Sequence, residues 1–258
     1  MSEALATVDV GRLVLVALYV AAALLLMARL RLPSAGEAFR GVLQAAGQLA
    51  VMGSVLLFVF RVDRLGVSVA LLAGMVAVAA WTAARRANRW PSTLRFAFGT
   101  IGLVTLAIVA PMALAGVFEL RPSFLIPISG MVLGNAMNAT ALALERLQSD
   151  LRARQAVVEA YLTLGVDPDT ATRTSAGTTL QASLIPSLNS LKTSGVVHIP
   201  GMMTGMLLGG QNPLKAAELQ LTILYLIFLA ALGSALLVTG LGRRLYFTDL
   251  EALRLPEP

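Results

Sequence analysis

Seven apolar runs, each between about 16 and 25 residues long and separated by short connections rich in arginine, constrain this chain more than any other feature. They cover 13–28, 41–60, 65–82, 96–118, 123–144, 194–210 and 217–241. A helix rising about 1.5 Å per residue needs about 20 such residues to cross a hydrocarbon core about 30 Å thick. Lipid cannot satisfy backbone N–H and C=O groups, so runs of this kind must be helical. With 57% hydrophobic and only 13% charged residues, the chain is too apolar for one water-facing core. The reading is therefore an all-α, polytopic membrane protein of about seven transmembrane helices, forming one transmembrane domain over 1–258.

Lysine and arginine number 1, 3, 2, 4, 1, 5, 1 and 3 in successive connections, so fifteen of the 20 fall on one side. The positive-inside rule puts that side in the cytoplasm, with the N-terminus out and the C-terminus in. The net charge of +6 lies at the ends of apolar runs rather than on one soluble face, which argues against nucleic acid as a partner. Residues 1–4 lack the basic start of a cleavable signal, so the first run is expected to be a retained span.

The longest connection, 145–193, is expected inside. Its first part, 145–164, alternates Leu147, Leu151, Val158 and Leu162 with Arg146, Asp150, Arg152, Arg154 and Glu159, and predicts a helix running on beyond the membrane. Gly165 and Asp167-Pro168 should stop it, and Asp169 or Thr170 should cap a second helix over 171–184. Two cytoplasmic helices joined by a sharp turn make a handle for a partner. The sixth run contains His198 and Pro200-Gly201 and ends at Gly209-Gly210, so a kinked span and a re-entrant segment are both open.

Enzyme chemistry finds little to work with. There is one histidine and no cysteine, the apolar interiors carry no Asp or Glu, and no GxxxxGK[ST] phosphate loop occurs. Missing intramembrane acids also weigh against a proton- or sodium-coupled carrier. The polar residues expected at depth are Gln44 and Gln48 on one helix face, Asn135, Met137, Asn138 and Thr140 on another, and Met202, Met203 and Thr204 after the Pro-Gly break. They are the candidates for a translocation path, with interhelical hydrogen bonding as the alternative for each. His198, Met202 and Met206 could meet a soft or intermediate metal ion but do not close a coordination sphere.

The stretch 127–137 (PISGMVLGNAM), the run 185–190 (IPSLNS) and above all 197–205 (VHIPGMMTG) resemble the bacterial Fet-type permease family and its plant aluminium-tolerance relatives. Arg40, Gln48-Leu49, Ala80-Trp81, Leu164-Gly165, Asn212-Pro213 and Gln220 match in the same order along nearly the whole chain. The resemblance implies the inner-membrane permease subunit of an ABC transporter, with no cofactor of its own and ATP bound by a separate ATP-binding subunit. It also implies export of iron or another metal, with a nucleotide sugar as the alternative cargo. A stand-alone channel or carrier is the rival outside that class. The expected assembly is a homodimer in the lipid bilayer, coupled to its motor through Arg152, Arg154, Glu159, Gly165 and Asp167. Glu159-Ala160 followed by Gly165 looks like the opening of the EAA signature of importer permeases, whose later part does not follow at its usual distance.

Overall fold

The computed structural model describes residues 10–87 and 91–256. The chain start at 1–4 and Arg89, both used in the sequence reading, lie outside the described residues. Among those described every extended element is helical, and only two isolated β-bridges occur. The chain divides into two units, 1–62 and 63–258.

The first unit is a helical hairpin, α1 (Val10–Arg29) and α2 (Ala35–Val62). Leu32 N–H bonds the carbonyl of Met27, and Arg31 adopts a positive φ of 51°, which closes α1 before Pro33 and Ser34. Both helices carry long apolar stretches, and Glu37, Arg40, Gln44 and Gln48 lie on the first half of α2.

The second unit holds α3 (Leu65–Ala87), α4 (Pro91–Leu114), α5 (Pro122–Ala153), α6 (Gln155–Thr163), α7 (Pro168–Ala171), α8 (Arg173–Thr193), α9 (Gly201–Leu208) and α10 (Pro213–Gly240), then a 3-10 turn over Gly242–Tyr246. α5 is the hub, packing on α3, α4, α8 and α10. Small residues make that possible: Ala79, Ala80 and Ala83 of α3, Ala136 and Ala143 of α5, and Ala230, Ala231 and Ala235 of α10 are all buried. Alanine lets helix backbones approach closely where lipid supplies no hydrophobic drive. Gly242 is needed for space, since a Cβ there would lie 3.0 Å from Phe96 Cε1. At 32 residues α5 is about 48 Å long, so its charged last turns run past a hydrocarbon core of about 30 Å.

Among the described residues five helices are long and apolar enough to cross a membrane, four in this unit (α3, α4, α5 and α10) and α2 in the first. α1 contributes a shorter apolar stretch, Val14–Arg29. The expected sixth span at 194–210 is not one helix. Residues 194–200 form a turn, and α9 has eight residues, about 12 Å of rise. The helix expected over 171–184 instead runs over Arg173–Thr193, and its polar composition hid its length from a hydropathy reading. The expected cap also moves. Neither Asp169 nor Thr170 caps α8, whose N-cap is Thr172 with no side-chain capping hydrogen bond; Asp167 caps the short α7 ahead of it, its Oδ1 accepting from Thr170 N–H at 2.9 Å. Gly165, at φ 79°, ends α6 as its position in the sequence predicts.

Candidate functional site

Half of α8 is serine, threonine, asparagine or glutamine, yet it packs lengthwise against the apolar α10 and against α5. The segments on either side of it are tied to α10. Before it, the Asp169 carboxylate forms an ion pair with Arg243, 3.0 Å from Nε, and lies 3.6 Å from Arg244 Nη2, in the turn that follows α10. The Arg243 guanidinium also donates to the Asp169 carbonyl at 2.9 Å. Beyond it, ten residues past its end, Met203 N–H of α9 donates to Gln220 Oε1 of α10 at 3.3 Å. The 21 residues of α8 rise about 31 Å, a length close to the thickness of a hydrocarbon core, and the helix packs against α10 with the chain running in the opposite direction.

One face of α8 is buried and carries Ser175, Thr179 and Ser183, four residues apart; the Ser183 hydroxyl donates to the Thr179 carbonyl at 2.8 Å. The other face leaves Thr174, Thr178, Gln181 and Asn189 exposed. Hydroxyls on that face turn back onto their own helix, as Thr178 does to the Thr174 carbonyl and Ser190 to that of Pro186. α5 presents a further exposed amide, Asn138, while Asn135 Nδ2 donates to the Met131 carbonyl at 2.8 Å. Of the other path candidates, Met137 is half-buried against the core and Thr140 is fully buried. Gln44 and Gln48 are exposed on α2 of the first unit.

The turn between α8 and α9 is closed by Gly195 N–H to the His198 carbonyl at 2.9 Å, with Gly195 at φ 86°. His198 is exposed there, Pro200 precedes α9, and Thr204 is exposed on it. Met203 and Met206 are half-buried, and Met202 packs into the core. Val196 and Val197, 89% and 75% exposed, give this end of the unit an apolar rim. Among the described residues no three His, Cys, Asp or Glu side chains group closely enough to hold a metal ion.

The opposite end is held by a second core of Leu144, Leu147, Leu151, Val158, Val238 and Tyr246. The Tyr246 hydroxyl donates to the Leu144 carbonyl at 3.2 Å, and burial pushes its pKa up. Of the coupling candidates, Arg152 donates to the Pro256 carbonyl, Arg154 pairs with Asp150 at 3.2 Å, and Glu159 accepts Gln155 Nε2 at 2.8 Å. Asp167 is held below the usual carboxylate range by the Thr170 hydroxyl and then by the Thr170 N–H. A cavity of about 540 Å³ opens beside them, lined by Glu159, Leu162, Gly165 and Val166 on one side and Leu250, Glu251 and Leu253 on the other. Sequence reading missed Asp169, Arg243, Arg244 and Tyr246 as the residues that fasten this end. An acid beside a helix start and two arginines beyond a helix end were the available signals, but only the antiparallel pairing brings them together.

A family profile described as "Uncharacterised protein family (UPF0014)" matches residues 10–247. The Arabidopsis thaliana Protein ALUMINUM SENSITIVE 3 is 36% identical over 219 residues, covering 85% of this chain and 80% of its own. The Oryza sativa UPF0014 membrane protein STAR2 is 34% identical, covering 84% and 76%. The Escherichia coli Probable iron export permease protein FetB is 30% identical over 206 residues, 80% of each chain. No solved structure matches.

Proposed function

The chain belongs to the UPF0014 family of multi-pass membrane proteins, and on that premise we propose that it is the permease subunit of an ABC exporter for iron or another metal ion. It works in the inner membrane as a homodimer, with ATP hydrolysed by a separate subunit. The relative named as an iron export permease supplies the cargo class. The observation that carries the transport-machine reading is the fastening of α6 and α7 to both long helices of the second unit. Through the shared core, Val158 of α6 packs with Leu147 and Leu151 of α5, and through Asp169 the turn before α8 grips Arg243 after α10. A push on this end is thereby passed to α5, α8 and α10 together.

The seven crossings are α1, α2, α3, α4, α5, α8 and α10, with the N-terminus out and the C-terminus in. Making α8 the sixth crossing moves only Lys192 to the outer side, so the charge bias keeps its sign. Arg152, Arg154, Glu159, Gly165 and Asp167 then lie on the cytoplasmic side, where the motor subunit docks. His198, Met202 and Met206 lie at the outer exit, where they can meet the departing ion.

The test is co-purification with the ATP-binding subunit followed by a screen of metal ions and small polar solutes for ATPase stimulation in liposomes. Metal-stimulated hydrolysis with outward flux is expected. Stimulation by nucleotide sugars alone would replace the cargo, and flux without ATP or partner would replace the machine by a channel. Joint His198→Ala and Met202→Ala substitution should weaken the metal response; an unaltered response removes the metal exit.

A further inference from the structure

We infer that the exposed face of α8 is a wall of a water-filled path, and that the cargo crossing along it is a hydrophilic, hydrogen-bonding solute. The inference rests on the permease reading above, and adds to it a lining element and the physical character of the cargo.

The argument begins with what an exposed side chain on this helix would face. α8 packs on α5 and α10, both long and apolar enough to cross a membrane, and its 21 residues rise about 31 Å, so on the permease reading its uncovered face lies at hydrocarbon depth. The hydroxyls of Thr178 and Ser190 could face lipid, because each returns its proton to a backbone carbonyl of its own helix. The amides cannot. Gln181 and Asn189 are exposed, eight residues apart on the same side of the helix, and each carries two N–H donors and a carbonyl. An amide left against hydrocarbon loses its hydration with no return, so these two require water or polar groups.

The neighbouring helices mark the contrast. The large exposed side chains along α4 and α10 include Phe98, Leu103 and Leu106, and Leu221, Tyr225, Leu229 and Leu236, all hydrocarbon but for the Tyr225 phenol and none an amide. α5, which packs against α8, adds the exposed amide of Asn138. Ile185 and Leu188 interleave with the amides and give a second copy of the chain apolar area to close upon. Arg173–Thr193 contains no carboxylate, so the wall offers hydrogen bonds rather than fixed negative charge. A lipid-like cargo would gain nothing from such a surface; a hydrated solute passes it by exchanging one hydrogen-bonding partner for another.

The absence of native cysteine makes the test clean. Single variants Thr178→Cys, Gln181→Cys and Asn189→Cys, with Leu106→Cys and Leu229→Cys as lipid-facing controls and Ser175→Cys as the buried control, are placed in vesicles with the ATP-binding subunit. A charged, water-soluble thiosulfonate reagent is supplied to both sides. Only a thiolate in contact with water reacts, so the three wall positions should label at least roughly tenfold faster than the controls. Labelling as slow as at Leu106→Cys would overturn the wall. Equal labelling at Ser175→Cys would overturn it too, by making α8 a solvated helix outside the membrane. Thr178→Cys is nearly isosteric and keeps the test decisive should Gln181→Cys fail to assemble. If the wall labels fast and ATP never changes the rates, the water path stands and the ATP-driven reading falls.

Discussion

α8 and α10 lie side by side over about the same 30 Å, one built from serine, threonine and amides, the other from leucine, isoleucine and alanine. Their burial patterns differ as much as their compositions. α10 buries Ile223, Leu226, Ala230 and Val238 as an apolar stripe and turns leucines outward, whereas α8 is polar on its buried face and on its free one. A helix can cross a membrane for either of two reasons. It can dissolve in lipid, or it can be held by neighbours that do. On the proposed reading α8 is of the second kind, with the turn before it held through Asp169 and the α9 that follows it held through Met203 at Gln220.

That comparison can be broken most forcefully with a charge. Ala231 of α10 is 1% exposed, and Ala231→Asp would bury an unpaired carboxylate in the packed interior of the unit. The cost is at least several kcal/mol, and the protein should be lost from the membrane fraction. The same aspartate at Thr178 on the free face of α8 should leave membrane levels close to wild type on an immunoblot. Equal loss at both positions would erase the distinction between the helices.

A smaller effect is expected from Asp169→Asn, which keeps the shape and removes the charge that holds Arg243 and Arg244. The pair is partly exposed, so the loss should be on the order of 1 kcal/mol, read as a lower melting temperature in detergent. ATP hydrolysis should at the same time become less responsive to cargo, because the grip between the α7 turn and the end of α10 is gone. A lower melting temperature with intact coupling would leave the contact structural only. Charge reversal at Arg152, Arg154 and Glu159 should uncouple in the same way with insertion unchanged, and undisturbed coupling would take this end out of the mechanism.

Gln220→Leu tests the other grip. Gln220 is 8% exposed and its Oε1 serves Met203 N–H, so the substitution frees the start of α9 while making α10 more apolar. Global stability should change by less than about 1 kcal/mol, with faster amide hydrogen exchange confined to 201–208 as the diagnostic. The smallest effect is at Asp167. Its folded pKa is below the ordinary 3.8, so the cap's contribution is present at neutral pH and fades only as pH falls through that lower value. Exchange at the Thr170 amide should therefore be faster in Asp167→Ala at pH 7 than in the parent chain, and the two should converge in strong acid.

The apolar helices were legible because lipid imposes one rule along their whole length. The expected starts of α3 and α5 fall within a residue of those observed, and α10 lies over the seventh run. The largest difference in helix bounds is in the stretch after α6. A polar helix packed against two others has no hydropathy signal, so the helix expected over 171–184 runs on to Thr193, and the apolar 194–210 is a turn followed by eight helical residues. The Pro-Gly break was legible from Pro200-Gly201, but its meaning was not, since it begins a new helix after a turn, α8 having ended at Thr193, rather than bending a single span. For the path candidates, residue type found the amides and not their surroundings. Asn138 is exposed whereas Thr140, two residues on, is sealed in the core.

The most direct measurement asks on which side of the membrane each end of α8 lies. Single cysteines at Thr163, before α7, and at Gly195, after α8, would be challenged with an impermeant maleimide in intact cells and in inverted vesicles. The account predicts that Gly195→Cys labels only from outside and Thr163→Cys only from the cytoplasmic side. Labelling of both from the cytoplasmic side would contradict it, returning α8 to the cytoplasm and removing the polar helix from the path.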